Sequence, residues 1–173
     1  KSGNLWVGNG WSKNGLKKLT PQGAWSSVNI EPISQRYYED SYGEVVVDKN
    51  GTKWMASSYD GVIGYNEVGN VFKKISLGAD LGNLPVVDAR VVAIDNRNQL
   101  WIGTISGLRV LSSVDRFLTD AQLTSNAIII LENGLAQELL YEQFITDIVV
   151  DGANNKWVGT ADSGVFQFSS DGQ

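Results

Sequence analysis

Asp95-Asn96-Arg97-Asn98-Gln99-Leu100-Trp101-Ile102-Gly103-Thr104 is the fullest statement of a phrase that this chain writes four times. Its centre recurs as Gly3-Asn4-Leu5-Trp6-Val7-Gly8, Gly51-Thr52-Lys53-Trp54-Met55-Ala56 and Asn154-Asn155-Lys156-Trp157-Val158-Gly159. The four Trp residues stand 48, 47 and 56 residues apart, so the period is nearly constant with one insertion. Self-similarity at that spacing is the mark of a repeat architecture, in which each repeat is one supersecondary unit that buries its core against its neighbours.

Working outward from Trp, an Asp stands six residues earlier in three copies, as Asp48, Asp95 and Asp151. Each closes a β-branched run, Val45-Val46-Val47, Val91-Val92-Ala93-Ile94 or Ile148-Val149-Val150, which reads as a strand covered on both faces. The residues between Asp and Trp are rich in Asn and Gly, which tolerate left-handed backbone, so a hairpin is predicted. Beyond the Trp strand, Gly15, Gly61, Gly107 and Gly164 mark a second turn. Third strands follow at Leu16–Leu19, Val62–Tyr65, Leu108–Leu111 and Val165–Phe168, and Asn70–Ile75 supplies a fourth. The insertion reads as an extra hairpin, Ile128-Ile129-Ile130-Leu131, then Glu132-Asn133-Gly134, then Ala136 to Leu140. Short antiparallel strands in units of about 47 residues, with no convincing helix, match the blade of a β-propeller. The expected fold is therefore all-β. It is a partial β-propeller in one domain, 1–173, of about three and a half to four blades of four-stranded antiparallel sheet, with blades at 1–41, 42–88, 89–141 and 142–173.

Composition narrows the function. The chain has 173 residues, 42% of them hydrophobic, enough for a core. Its net charge of −5, with 14 scattered Lys and Arg, leaves no basic track for nucleic acid. There is no Cys and no His, which removes thiolate nucleophiles, Cys/His metal centres and the commonest general base. No apolar run approaches the roughly 20 residues that span a bilayer.

The phrase Asp-x-x-Asn/Gly-x-Leu/Lys-Trp-Val/Ile-Gly-Thr followed by Gly-Leu/Val resembles the propeller repeat of periplasmic sensor regions in two-component regulators. The longer string from Ile145 through Thr160, continuing in Ser163-Gly164-Val165-Phe166, resembles the PorZ-type components of bacterial type IX secretion machinery. The likeness is strong from Val86 to Gly172 and looser before that. Ala56-Ser57 stands where Gly-Thr is usual, and Asn9 follows Gly8. The resemblance implies a cell-envelope setting, periplasmic or at the outer-membrane surface. It also implies protein partners, surface oligosaccharide or lipopolysaccharide as ligand, and a full ring of about seven blades with a further β-sandwich, of which this chain is a fragment. Open edges of such a fragment are templates for pairing, so self-association is a further expectation.

Four Trp residues could form a sugar-stacking set. Their shared register with a following small residue, Gly8, Ala56, Gly103 or Gly159, predicts wedges between blades instead. Asp48, Asp95 and Asp151 lack the alternating ligands and late Glu of a calcium loop, so they are expected to accept backbone N–H groups of their turns. No cofactor, metal or catalytic residue is assigned, and Glu39-Asp40 reads as a solvated loop. The turns after the Trp strands, with the connector Gln35–Asp40, should emerge on one face. Trp11, Tyr37, Tyr38, Tyr59, Asp60 and Asp162 are its candidate binding residues, because loop aromatics off the core register favour binding. The expected function is non-catalytic docking, with a ligand-sensing propeller of a hybrid two-component sensor kinase as the second reading.

Overall fold

A computed structural model describes residues 3–170; residues 1–2 and 171–173, the ends of the first and last expected blades, lie outside it. Fifteen described strands form antiparallel sheets, and the helical turns among the described residues are short 3-10 segments. The first sheet holds β1 (Leu5–Gly8), β2 (Leu16–Leu19) and β3 (Trp25–Val28). The second holds β4 (Tyr42–Val47), β5 (Lys53–Ser57), β6 (Gly61–Asn66) and β7 (Val71–Ile75). The third is β8 (Ala89–Ile94), β9 (Leu100–Thr104) and β10 (Gly107–Leu111); a hairpin of β11 (Ile129–Glu132) and β12 (Leu135–Glu138) follows. The last sheet is β13 (Ile145–Val150), β14 (Lys156–Thr160) and β15 (Val165–Phe168). The Trp strands are thus β1, β5, β9 and β14, and the full complement of four strands occurs in the second sheet.

The Asp-to-Trp turns show why the phrase is fixed. Oδ1 of Asp48 accepts the N–H groups of Asn50 and Thr52, both at 2.9 Å, while Oδ2 accepts the Trp54 indole N–H at 3.0 Å. Asp95 repeats this with Arg97, Gln99 and Trp101, and Asp151 with Ala153, Asn155 and Trp157. One carboxylate therefore closes the turn and orients the indole. The left-handed residue that each turn needs is Gly51, Asn98 or Asn154, with φ of 79°, 63° and 67°. In the inserted hairpin, Asn133 and Gly134 both have positive φ, the requirement of a type I′ turn.

Sheets stack face to face, β4 on β8 and β8 on β13, with β1 against β4. Small residues permit the approach: a Cβ at Gly43 would stand 3.0 Å from the Arg90 carbonyl, and one at Gly103 would meet Ile145 at 2.5 Å. Trp54 is fully buried, edge-on to Phe117 at 5.2 Å, and Trp101 is 2% exposed. Trp157, with no described sheet beyond it, is 43% exposed. Side chains one residue before Trp cover the preceding indole. Lys53 lies over Trp6 at 4.5 Å and Lys156 over Trp101 at 4.7 Å, cation–π contacts between successive sheets.

The turns also latch. Asn98 Oδ1 accepts the Lys49 N–H at 2.9 Å, and Asn154 Oδ1 accepts the Asn96 N–H at 2.8 Å. The expectation that the first strands are covered on both faces needs correction. Val47 and Val149 are exposed, and it is β5, β6 and β9 that are buried throughout, the central strands of the two sheets that have described neighbours on either side.

Candidate functional site

The turn after each Trp strand meets the connector that enters the same sheet. Ser58 N–H donates to the Ser41 carbonyl, Ile105 N–H to Asp88 and Ala161 N–H to Phe144. These turns and connectors share one face, opposite the Asp turns. Where the first and second sheets meet, Trp11 N–H donates to the Asp40 carbonyl at 3.0 Å. Trp11 is 74% exposed and has φ of 58°, an uncommon conformation for a bulky residue, and it holds the indole out from the surface.

Tyr37 and Tyr38 pack edge to face with centroids 5.6 Å apart. The Arg36 guanidinium lies 4.2 Å from the Tyr59 ring centre and pairs with Glu39. The structure therefore gathers Trp11, Tyr38 and Tyr59 as exposed rings around the 35–41 connector, while Tyr37 is half-buried against the core cluster that includes Leu16, Ile30 and Met55. Asp60 belongs to the same turn as Tyr59 but is buried, with Oδ1 on the Lys74 ammonium at 2.7 Å. Asp162 is exposed in the last sheet's turn, beside Ser163, which donates to Gln143 at 2.8 Å.

Reading Glu39-Asp40 as a solvated loop is wrong for Asp40, which is completely buried. Its Oδ2 accepts the Ser57 hydroxyl at 2.5 Å and its Oδ1 the Ser58 N–H at 3.0 Å. Burial pushes this carboxyl above its ordinary range, against the hydrogen bond from Ser57 that draws it down. Asp40 thus fixes both the connector and the turn that carry the aromatic patch. Neither Asp40 nor Arg36 stood out in the sequence, since an Arg-x-x-Glu-Asp run in a loop looks like ordinary surface.

The opposite face carries a cavity of about 630 Å³ between the first two sheets, lined by residues that include Trp6, Val47, Lys53 and Glu67. Its charges are spoken for: Glu67 bridges Lys18 at 2.7 Å and Lys53 at 2.8 Å. Burial raises the Glu67 carboxyl, and the two ammonium groups outweigh it and hold it below its ordinary value. The Asp turns on this face have both carboxylate oxygens occupied by N–H donors, as expected for turn-closing residues. Among the described residues, no group of three or more Asp, Glu, His or Cys is arranged to hold a metal ion.

This arrangement of stacked, Trp-wedged sheets agrees with solved structures. The chain is a segment of a β-propeller. It superposes with a TM-score of 0.79 and 22% identity on PorZ, an essential bacterial surface component of the type IX secretion system of Porphyromonas gingivalis. That match covers 97% of this chain and 24% of the other. The extracellular domain of a hybrid two-component system of B. thetaiotaomicron matches with TM-score 0.63 and 19% identity over 95% of this chain and 20% of its own. A streptogramin B lyase matches with TM-score 0.63 and 12% identity, over 98% and 52%. The chain therefore spans about a quarter of PorZ and about a fifth of the sensor domain, and the propeller neighbours include enzymes as well as surface and sensor proteins. No protein-family model matches the chain, and no curated protein does.

Proposed function

We propose that this chain is a non-catalytic docking module of a cell-envelope protein, using the face where Trp11, Tyr38 and Tyr59 surround the 35–41 connector. The observation that carries the reading is Trp11. It is the most exposed Trp, held in left-handed backbone by a hydrogen bond to Asp40, a residue that is itself locked into the core. Rigid aromatic side chains offer large contact area at low entropic loss, and loops on a stiff scaffold are where binding residues concentrate. The likeness to PorZ, a surface component of a secretion system, supports protein partners of the envelope or a surface oligosaccharide or lipopolysaccharide as ligand.

The likeness to extracellular sensor domains supports the second reading, a ligand-sensing propeller of a hybrid two-component system. An enzyme reading has the lyase likeness in its favour, but the chain has no His, and its buried carboxylates are engaged with neighbours.

The test is capture from an envelope extract followed by mass spectrometry of bound protein and glycan, repeated with Trp11→Ala and Tyr59→Ala. The proposal expects both variants to keep the parent's circular dichroism and lose at least tenfold in capture, about 1.4 kcal/mol per variant. Unchanged capture by both would sink it.

A further inference from the structure

At each internal junction of the stack, the indole of one sheet meets the back of the next. Trp6 packs against the cluster that includes Met55, Ile63 and Tyr65 of the second sheet. Trp54 shares a core cluster with Leu100 and Ile102 of the third sheet, and Trp101 with Val158 and Phe168 of the fourth. Side chains alternate across a strand, so the residues flanking each Trp point the other way. Lys53 and Met55 face the first sheet, Leu100 and Ile102 the second, and Lys156 and Val158 the third, and all six are buried. Two faces of the same kinds lie at the ends of the stack with no described sheet against them. On the fourth sheet, Val149 stands opposite Trp157 and Val165 opposite Gly159, and all three apolar side chains are exposed. Their counterparts in the third sheet, Ala93, Trp101 and Leu108, are buried in one cluster. On the first sheet, Leu5 and Val7 point away from the second, with Leu19 opposite Leu5 and Trp25 opposite Leu19. Leu5 is 55% exposed, whereas Leu100 in the same position is 0% exposed. Trp25 is exposed, whereas its counterpart Phe72 packs against the cluster that also holds Trp6.

An exposed indole face at one end of the stack and an exposed apolar back at the other are the two halves of a junction that the chain already builds within itself. Contiguous apolar surface of this kind marks an interface. Leu5 repeats Leu100, which lies in the cluster around Trp54, so the occupant that the stack specifies for the Trp157 face is the first sheet of another copy. We propose that the Trp157 face of one copy receives the Leu5 face of a second, and that two copies close head to tail into a ring. A contact between unlike faces closes when the rotation per copy allows, and closure leaves neither face open. Two copies bring about eight Trp-centred sheets, within the four to eight blades from which propellers are built. Neither Trp11 nor the 35–41 connector takes part, so this pairing is independent of the docking face.

Sedimentation equilibrium of the full chain over a range of concentrations tests this. The parent is expected at the mass of two copies, and Leu5→Asp and Trp157→Asp each at the mass of one, with circular dichroism unchanged. Should Trp157→Asp fail to fold, Val165→Asp places a charge on the same face at an exposed position. Mixing the two variants in equal amounts is the sharper measurement, because the intact Trp157 of one then meets the intact Leu5 of the other. A two-copy species should return, roughly a hundredfold weaker than the parent because the ring's second junction is lost. A single-copy parent at the highest soluble concentration, assemblies that grow without limit, a two-copy mass kept by either variant, or a mixture that stays as single copies would each overturn the ring. Capture of the docking partner is read separately, so failure of the ring leaves the binding face standing.

Discussion

At the residue scale, the repeated phrase works through one carboxylate and one indole. Trp101 is packed between sheets, whereas Trp157 presents an open face. Trp101→Ala should lower the free energy of unfolding by about 3–5 kcal/mol in urea melts, and Trp157→Ala by far less. Equal losses would contradict the wedge role. Asp95 and Lys156 form an ion pair at 3.1 Å with both side chains fully buried. Without Lys156, Asp95 keeps three N–H donors. Without the Asp95 charge, the Lys156 ammonium is left with the Ser170 carbonyl and the Trp101 face. Asp95→Asn is therefore expected to destabilise by about 3–5 kcal/mol, and Lys156→Met by less; the reverse order in denaturant melts would refute this. Burial raises the Asp95 carboxyl, but the Gln99 N–H, Lys156 and Trp101 outweigh it and hold it below the ordinary 3.8. A carboxylate lowered in the folded state stabilises above its unfolded pKa, and that contribution is lost as pH falls from about 4 through the folded value. Asp95→Asn should be less stable at neutral pH and should flatten this acid limb. Asp40 has the opposite sign, since its folded pKa is raised: its contribution is full below 3.8 and is lost as pH rises through the folded value.

At the element scale, the latching Asn residues make the sheets register with one another. Asn98→Gly keeps the left-handed backbone but deletes the acceptor for the Lys49 N–H and the bond to Asp115. The Lys49 amide should then exchange roughly fivefold faster or more, the equivalent of about 1 kcal/mol. Unchanged exchange would mean that the latch carries no load. The strands themselves were legible because their causes are local. Asn and Gly at the left-handed turn positions, β-branched runs and the small residue after Trp each act within a few neighbours, and the third strand read as Leu16–Leu19 is β2 residue for residue. The inserted hairpin was legible for the same reason, through Asn133-Gly134. The inter-sheet contacts were not. That Lys156 covers Trp101, or that Asn98 reaches Lys49, depends on residues some 50 positions apart meeting across a stacked face. The burial of Asp40 was hidden likewise, because its partners Ser57 and Ser58 lie on another strand and turn.

At the scale of the whole molecule, the two faces differ in what they carry. Asp turns on one face hold the sheets in sequence, and Trp-strand turns with their connectors on the other face present Trp11, Tyr38 and Tyr59. The fourfold indole is architecture, and the proposed binding falls to aromatics outside the repeat. Hydrogen exchange read by mass spectrometry, with and without the partner captured from the envelope, tests this division most directly. The account predicts slowed exchange at residues 10–14, 35–41 and 58–61, with the Asp turns at 48–52, 95–99 and 151–155 unchanged. Protection confined to the Asp turns would contradict it.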